Sequence, residues 1–377
     1  MENKKLKVGN VPPLRFPGFE GEWQTKKLGE TATFSKGKGI SKSDIAENGL
    51  TECIRYGELY TYYGEVINDI KSKTNVDTSN LVFSEVNDVI IPASGETTID
   101  IATASCVLKS GIALGGDLNI IKTENNGVFL SYYLNNKKKM EIANLAQGIS
   151  VVHLYSSQLA TLTLSFPKLE EQNRISTFLA LFDERIQTQN KIIEQLETLI
   201  KGLCQKLILS QSPNIKLKDC VSCYSSALTE STVMNENGIY PVYGANGIIS
   251  FIDNYQIDSD SILIIKDGAG VGKVQFARGK LSVIGTLNYF IAKSGTNLKY
   301  IFYSLKFFTF EKYKVGSGIP HIYFKDYGES LIFCPSFDEQ RNIEQLLSSI
   351  DEKINIQKIL LQKYELQKKH LLQNLFI

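Results

Sequence analysis

His153 and His321 are the side chains that first invite a catalytic reading of this sequence. A shift of 168 residues carries one onto the other, and each is followed two positions on by a tyrosine, Tyr155 and Tyr323. An imidazole working as a general acid or base needs a carboxylate or a nucleophile held at a set distance. None recurs beside both histidines, so they read as structural parts of a shared unit. Gly268, Gly270, Gly272 and Lys273 resemble a phosphate-cradling loop, but the run is one residue short. Val274 also stands where a serine or threonine would hold magnesium, so a hairpin turn is the expectation. Cys220 and Cys223 have the spacing of half a zinc site. No second pair completes them, and they read as core residues. Pro12-Pro13, between Val11 and Leu14, does not make the Asn- or Asp-Pro-Pro-aromatic motif of a methyltransferase. No catalytic residue and no metal ligand is assigned, and the chemistry left is binding.

What positions these residues is a duplication. The same shift of 168 carries Pro167 onto Pro335, Glu171 onto Glu339, Gln172 onto Gln340, Asp183 onto Asp351 and Gln189 onto Gln357. Residues 167–209 and 335–377 each predict one long helix. Proline precedes each copy, acidic residues fill the first turn, and the only later glycine is Gly202. Apolar residues step by three and four along both: Leu179, Phe182, Ile186, Ile193, Leu196, Ile200, Leu203 and Leu207, then Leu347, Ile350, Ile354, Leu361, Tyr364, Leu371 and Leu375. This is a coiled-coil seam. Gln189 and Gln357 interrupt it at matching places, and a polar seam residue selects register at some cost in stability. Lys368 departs from the pattern in one copy only.

The rest of the chain fits around these helices. With 377 residues, 43% of them hydrophobic, it suggests two or three domains with ample cores. A net charge of +1 excludes a polycation, so any nucleic-acid contact must come from locally arranged basic residues. Six cysteines in this length make no disulfide framework, no run is apolar enough to span a bilayer, and MENKKLKVGN is no signal peptide. A cytoplasmic protein with reduced thiols is expected. The predicted domains are residues 1–166, a globule behind a proline-rich N-terminal segment; 167–212, the first spacer helix; 213–334, a second globule; and 335–377, the second spacer helix. Strands are expected at 53–56, 88–91 and 118–122, with closing helices at 128–144 and 298–312. The fold class is α+β: two mixed α/β globules joined by long spacer helices in a pseudo-twofold plan. Two unlike globules at a fixed separation suit duplex DNA with two unlike half-sites.

At this point the chain resembles the specificity subunits of type I restriction–modification systems. The resemblance rests on residues 12–19 (PPLRFPGF) with Glu22-Trp23, and on Pro167, Glu171, Gln172 and Ile175 with their counterparts Pro335, Glu339, Gln340 and Ile343. It implies that each globule is a target recognition domain for one half of a bipartite sequence in double-stranded DNA. It implies that the helices pack antiparallel as a coiled-coil spacer and dock two modification subunits. Restriction subunits are also implied. S-adenosylmethionine, ATP and Mg2+ would then sit on those partners, with no cofactor in this chain.

Base-reading residues are not carried over by any motif, so candidates are chosen by chemistry: Lys, Arg, Ser, Thr, Asn and Tyr in turn-rich stretches. In the first globule these are Lys36, Lys38, Lys42, Arg55, Tyr56, Ser94 and Thr97. In the second they are Tyr243, Asn246, Lys273, Arg278, Lys312 and Lys314. The alternative is a coiled-coil adaptor whose globules bind proteins, and a DNA-shift assay separates the two.

Overall fold

The computed structural model describes residues 9–234, 238–268 and 270–377. Residues 1–8 of the expected first domain, and Ala269 of the glycine loop, lie outside the described residues. Four helices organise the chain: α1 (Gly127–Asn136), α2 (Leu169–Cys204), α3 (Leu298–Lys306) and α4 (Phe337–Asn374). Two compact units form among the described residues, one from residues 9–188 with 361–377 and one from those within 189–360. Each therefore takes a globule, part of α2 and part of α4. In the first unit the opening half of α2 lies with the closing half of α4, and in the second the halves are exchanged. That is an antiparallel pair.

In the first unit a five-stranded sheet runs in the order Ala32–Lys36, Leu118–Thr123, Val89–Pro92, Ser105–Val107, Val66–Ile67. Side chains alternate across a strand, so successive residues serve opposite faces. Val89, Ile91 and Ile121 enter the core under α1 and α2, while Ile90, Leu118 and Ile120 enter a separate core on the other face. The second unit repeats this. Its four-stranded sheet has the order Val221–Ser225, Leu287–Ala292, Ser261–Ile265, Val274–Ala277. Ile262, Ile264 and Phe290 face the helices, and Leu263, Ile265 and Leu287 face away. A central strand buried on both faces reads as a continuous apolar run, as VIIP and SILII do.

Both closing helices are shorter than the sequence pattern suggests. The expected 128–144 helix is Gly127–Asn136 followed by a separate Lys139–Leu145. The break falls at Lys137 and Lys138, just after Asn135, whose side-chain amide exchanges two hydrogen bonds with the backbone of Ala104 (2.7 and 2.9 Å). The expected 298–312 helix stops at Lys306. Beyond it, Phe308 and Phe310 pack ring to ring at 4.8 Å, and Phe310 is buried against Tyr327. The expected 53–56 strand is Thr51–Ile54, with Tyr56–Glu58 in a 3-10 turn.

The glutamine that helps open each long helix acts as a dock. Gln172 Oε1 accepts from the N–H of Asn126 at 2.9 Å, and its Nε2 donates to the Pro167 carbonyl at 2.9 Å. Gln340 does the same with Asn297 (2.8 Å) and Pro335 (2.9 Å). Asn126 and Asn297 are the N-caps of α1 and α3, accepting from Phe129 and Tyr300 N–H groups. One glutamine thus seats a closing helix on a long helix in each unit. Lower down, the Tyr132 hydroxyl donates to Asp183, and that of Tyr303 donates to the matching Asp351 at 2.9 Å. Gln340→Leu leaves the half-buried Asn297 N–H and Pro335 carbonyl without this partner. A loss of about 1–3 kcal/mol is expected, read as a lower unfolding midpoint. Glu339→Ala, at the exposed neighbour, is expected to change stability by no more than about 0.5 kcal/mol.

The seam residues are buried or half-buried in both helices. Leu179 belongs to the core of the first unit, and Leu347, Ile350 and Ile354 to that of the second. Gln189 is buried, and its Nε2 donates to Gln357 Oε1 at 2.5 Å. The two polar interruptions satisfy each other. Lys368 is no flaw in the pattern. Its ammonium meets Asp183 at 2.5 Å and Glu65 at 3.3 Å, and lies 5.4 Å from the centre of the Tyr132 ring.

Candidate nucleic-acid interface

The nominated polar residues fall into three situations. Lys36, Lys38, Lys42, Asn246, Lys273, Arg278, Lys312 and Lys314 are exposed, and Tyr56 and Tyr243 are half-buried. Asn246 sits in the tight turn between Tyr240–Gly244 and Gly247–Ile252. Lys273 ends the connection between Ser261–Ile265 and Val274–Ala277, which pair antiparallel. The glycine loop is thus the hairpin connection expected, with Gly268 and Gly272 at φ of 97° and 88°.

Three nominations are occupied by the fold itself. Ser94 is a correction: it is only 7% exposed, held in the short strand Ser94–Gly95 that pairs with Val152–His153. The turn-rich composition of residues 93–98 hides that strand. Arg55 pairs with the buried Glu58 at 3.1 Å, and its Nε is buried. Thr97 caps a helical turn, accepting from Asp100 N–H at 3.1 Å. Lys314 is paired with Glu311 at 2.6 Å but stays at the surface. The cysteines carry no exposed reactive thiol in the first unit, where burial pushes Cys53 up to about 11 and Cys106 up to about 12. In the second, Cys223 is pushed up to about 12 by burial, and the Cys220 thiol is raised by its hydrogen bond to Cys334. Among the described residues no cluster of His, Cys, Asp or Glu could hold a metal ion.

The two histidines read as structural in the sequence, and the loops leading to them are closed alike. His321 Nδ1 also meets Asp267 Oδ1 at 2.5 Å, whereas His153 has no matching carboxylate contact among the described residues. Backbone hydrogen bonds from Gln147 N to His153 O (2.9 Å) and from His153 N to Gln147 O (2.7 Å) close a loop over residues 147–153. The same two bonds, 2.9 and 2.8 Å, join Val315 and His321. The second residue of each loop is a glycine, Gly148 at φ 128° and Gly316 at φ 93°. A Cβ there would come 2.1 Å from the Val151 carbonyl oxygen or 2.6 Å from that of Ile319. The His153 ring stacks on Tyr155 at 6.4 Å, and His321 on Tyr323 at 6.5 Å. The signal for this was in the sequence, as the shared spacing Gly-x4-His-x-Tyr.

These features sit on a chain that a family model covers twice, at residues 20–198 and 214–366, described as the type I restriction modification DNA specificity domain. The chain belongs to that family. The specificity subunit of the type I restriction enzyme MjaVIII from Methanocaldococcus jannaschii is 24% identical over 93% of this chain and 91% of its own length. The specificity subunit of the Escherichia coli enzyme EcoprrI is 28% identical over 32% of this chain and 30% of its own. Among solved structures, the crystal structure of a type I restriction–modification S subunit from M. genitalium superposes with a TM-score of 0.73. It is 19% identical and covers 97% of this chain and 99% of that one. A structure concerned with complex assembly in the type I system gives 0.53, at 16% identity and with 97% and 99% coverage. The architecture of two mixed α/β domains with long antiparallel helices is the specificity-subunit fold. Its role is DNA specificity within a restriction–modification complex. No helix among the described residues is long and apolar enough to cross a membrane.

Proposed function

We propose that each globule reads one half of a bipartite target in double-stranded DNA, that α2 and α4 set the gap between the halves, and that the same helices dock two modification subunits. The observation that carries this is two units whose main sheets share one plan, yet whose strands and turns differ in sequence. Shared architecture with divergent surfaces suits two different sequences approached in the same way. Docking is supported by large apolar side chains left exposed on the long helices, among them Leu346, Ile356, Ile359 and Leu366. On an isolated helix pair such residues favour association with a partner. Restriction subunits complete the complex on this reading. S-adenosylmethionine, ATP and Mg2+ belong to those partners, and the chain itself performs no catalytic step in the cytoplasm.

The test is domain exchange. Residues 215–334 are replaced by the corresponding globule of another specificity subunit, and methylated adenines are mapped across a genome carrying the chimera. One half-site is expected to change completely while the other keeps its sequence. Alteration of both halves would refute independent reading.

A further inference from the structure

Buried contacts explain most of what the two units share. The glutamine docks, the tyrosine–aspartate bonds and the seam are all packed inside their own unit. The loops 147–153 and 315–321 are the exception, because their matching residues point into solvent. Tyr155 is 47% exposed and Tyr323 48%, and each tip also carries an exposed isoleucine, at a different place along the loop: Ile149 directly after its glycine and Ile319 three residues after its own. Leaving such side chains bare gains nothing for folding. Keeping a glycine that alone tolerates the loop's backbone gains nothing either, unless the loop's shape is used.

A cation accompanies each stack, though the fold supplies it differently. In the first unit Lys36, from the strand Ala32–Lys36, places its ammonium 5.9 Å from the Tyr155 ring centre. In the second, Lys325, two residues past Tyr323, lies 5.5 Å from that ring. A feature shared by two domains that read different sequences cannot be what distinguishes those sequences. It must meet something common to both halves. Ammonium and phenol groups offer donors for phosphate oxygens, and an apolar tip suits the sugar edge of a groove. The imidazole joins them, though in the second unit it is held through Nδ1 by Asp267 and keeps only its other ring nitrogen for this.

Resting on the DNA-reading function above, we propose that these loops are a matched pair of sequence-independent DNA grips, one per domain. The His–Tyr stack and its lysine hold the sugar–phosphate backbone, and the isoleucine tip packs against the adjoining groove. They seat each domain in register so that other residues can read bases.

The experiment uses the assembled complex with its modification subunits, carrying Tyr155→Ala with Ile149→Ser, or Tyr323→Ala with Ile319→Ser. Affinity is measured for the cognate bipartite duplex and for duplexes with one half-site scrambled, and methylated sites are mapped. Each pair of substitutions is expected to weaken binding to all duplexes by a similar factor, on the order of tenfold, with the methylated sequence unchanged. Affinity within about twofold of the unsubstituted complex would overturn the proposal. So would loss confined to the cognate duplex with an altered methylated sequence, which marks a base-reading loop. Release of modification subunits with normal DNA affinity in the assembled fraction would overturn it as well. Failure of the unsubstituted complex to select any bipartite duplex would instead remove the half-site reading on which the proposal stands.

Discussion

Phe376→Ala is expected to destabilise the first unit by about 3–5 kcal/mol, the range for truncating a fully buried phenylalanine. The residue stands next to last in the sequence, where a side chain is ordinarily dispensable. Here it has no exposure and packs against Phe129 at 5.2 Å and Tyr133 at 5.4 Å, in a core otherwise built from residues before 180. Leu375 is buried beside it, and the Leu14 N–H donates to the Asn374 carbonyl at 2.9 Å. The end of α4 thus completes a domain that began some 360 residues earlier. The 168-residue shift carries Ile208 onto Phe376, and Ile208 is buried in the second unit's core just past the end of α2. Calorimetry should therefore show Phe376→Ala lowering the transition of the first unit, and Ile208→Ala that of the second. Leu366→Ser, on an exposed face, should move neither by more than about 0.5 kcal/mol. A Phe376→Ala protein that melts like its parent would contradict this account of the core.

The sequence made the helices legible because heptad spacing, acidic first turns and the absence of proline all point the same way over many turns. It made the central strand of the first globule legible for a similar reason: VIIP is buried on both faces, so no polar residue interrupts it, whereas its equivalent Ser261–Ile265 was not among the expected strands. Duplication marked Gln172 but gave no reason for it. The reason is a hydrogen bond to the N-cap of a helix 46 residues earlier, and nothing local announces such a contact. Lys368 looked like a flaw in the seam because its partners, Asp183 and Glu65, are far away in the chain. Ser94 was misjudged because Ser, Gly and Thr signal turns by composition, whereas a two-residue strand is fixed only by its partner at Val152–His153. The closing helices end before their apolar spacing does: Phe307, Phe308 and Phe310 continue it beyond Lys306, and Met140 and Ile142 continue it beyond Asn136. The candidate interface was the least legible part. Exposed lysines are common, and only the recurrence of Gly148, His153 and Tyr155 marked one surface as shared.

Adding seven residues to both long helices, after Gln189 and after Gln357, is expected to widen the gap between methylated half-sites by about three base pairs. Seven residues at 1.5 Å each lengthen a helix by roughly 10 Å. Three base-pair steps at 3.4 Å span about the same distance. One heptad advances the seam by only ~20° from its starting phase, so the apolar stripe still faces its partner. Both helices must be changed because the Gln189–Gln357 hydrogen bond fixes their register. A heptad added to α2 alone slides Gln189 away from Gln357 and leaves the buried Gln189 amide and the half-buried Gln357 amide facing apolar seam residues, at a cost of about 1–3 kcal/mol for the buried one. That variant is expected to assemble poorly and to lose methylation, whereas the matched variant keeps both half-site sequences. Mapping methylated adenines for the two variants side by side separates the outcomes. A matched insertion that assembles, methylates and leaves the gap as it was would mean that the helices join the two readers without measuring the distance between them.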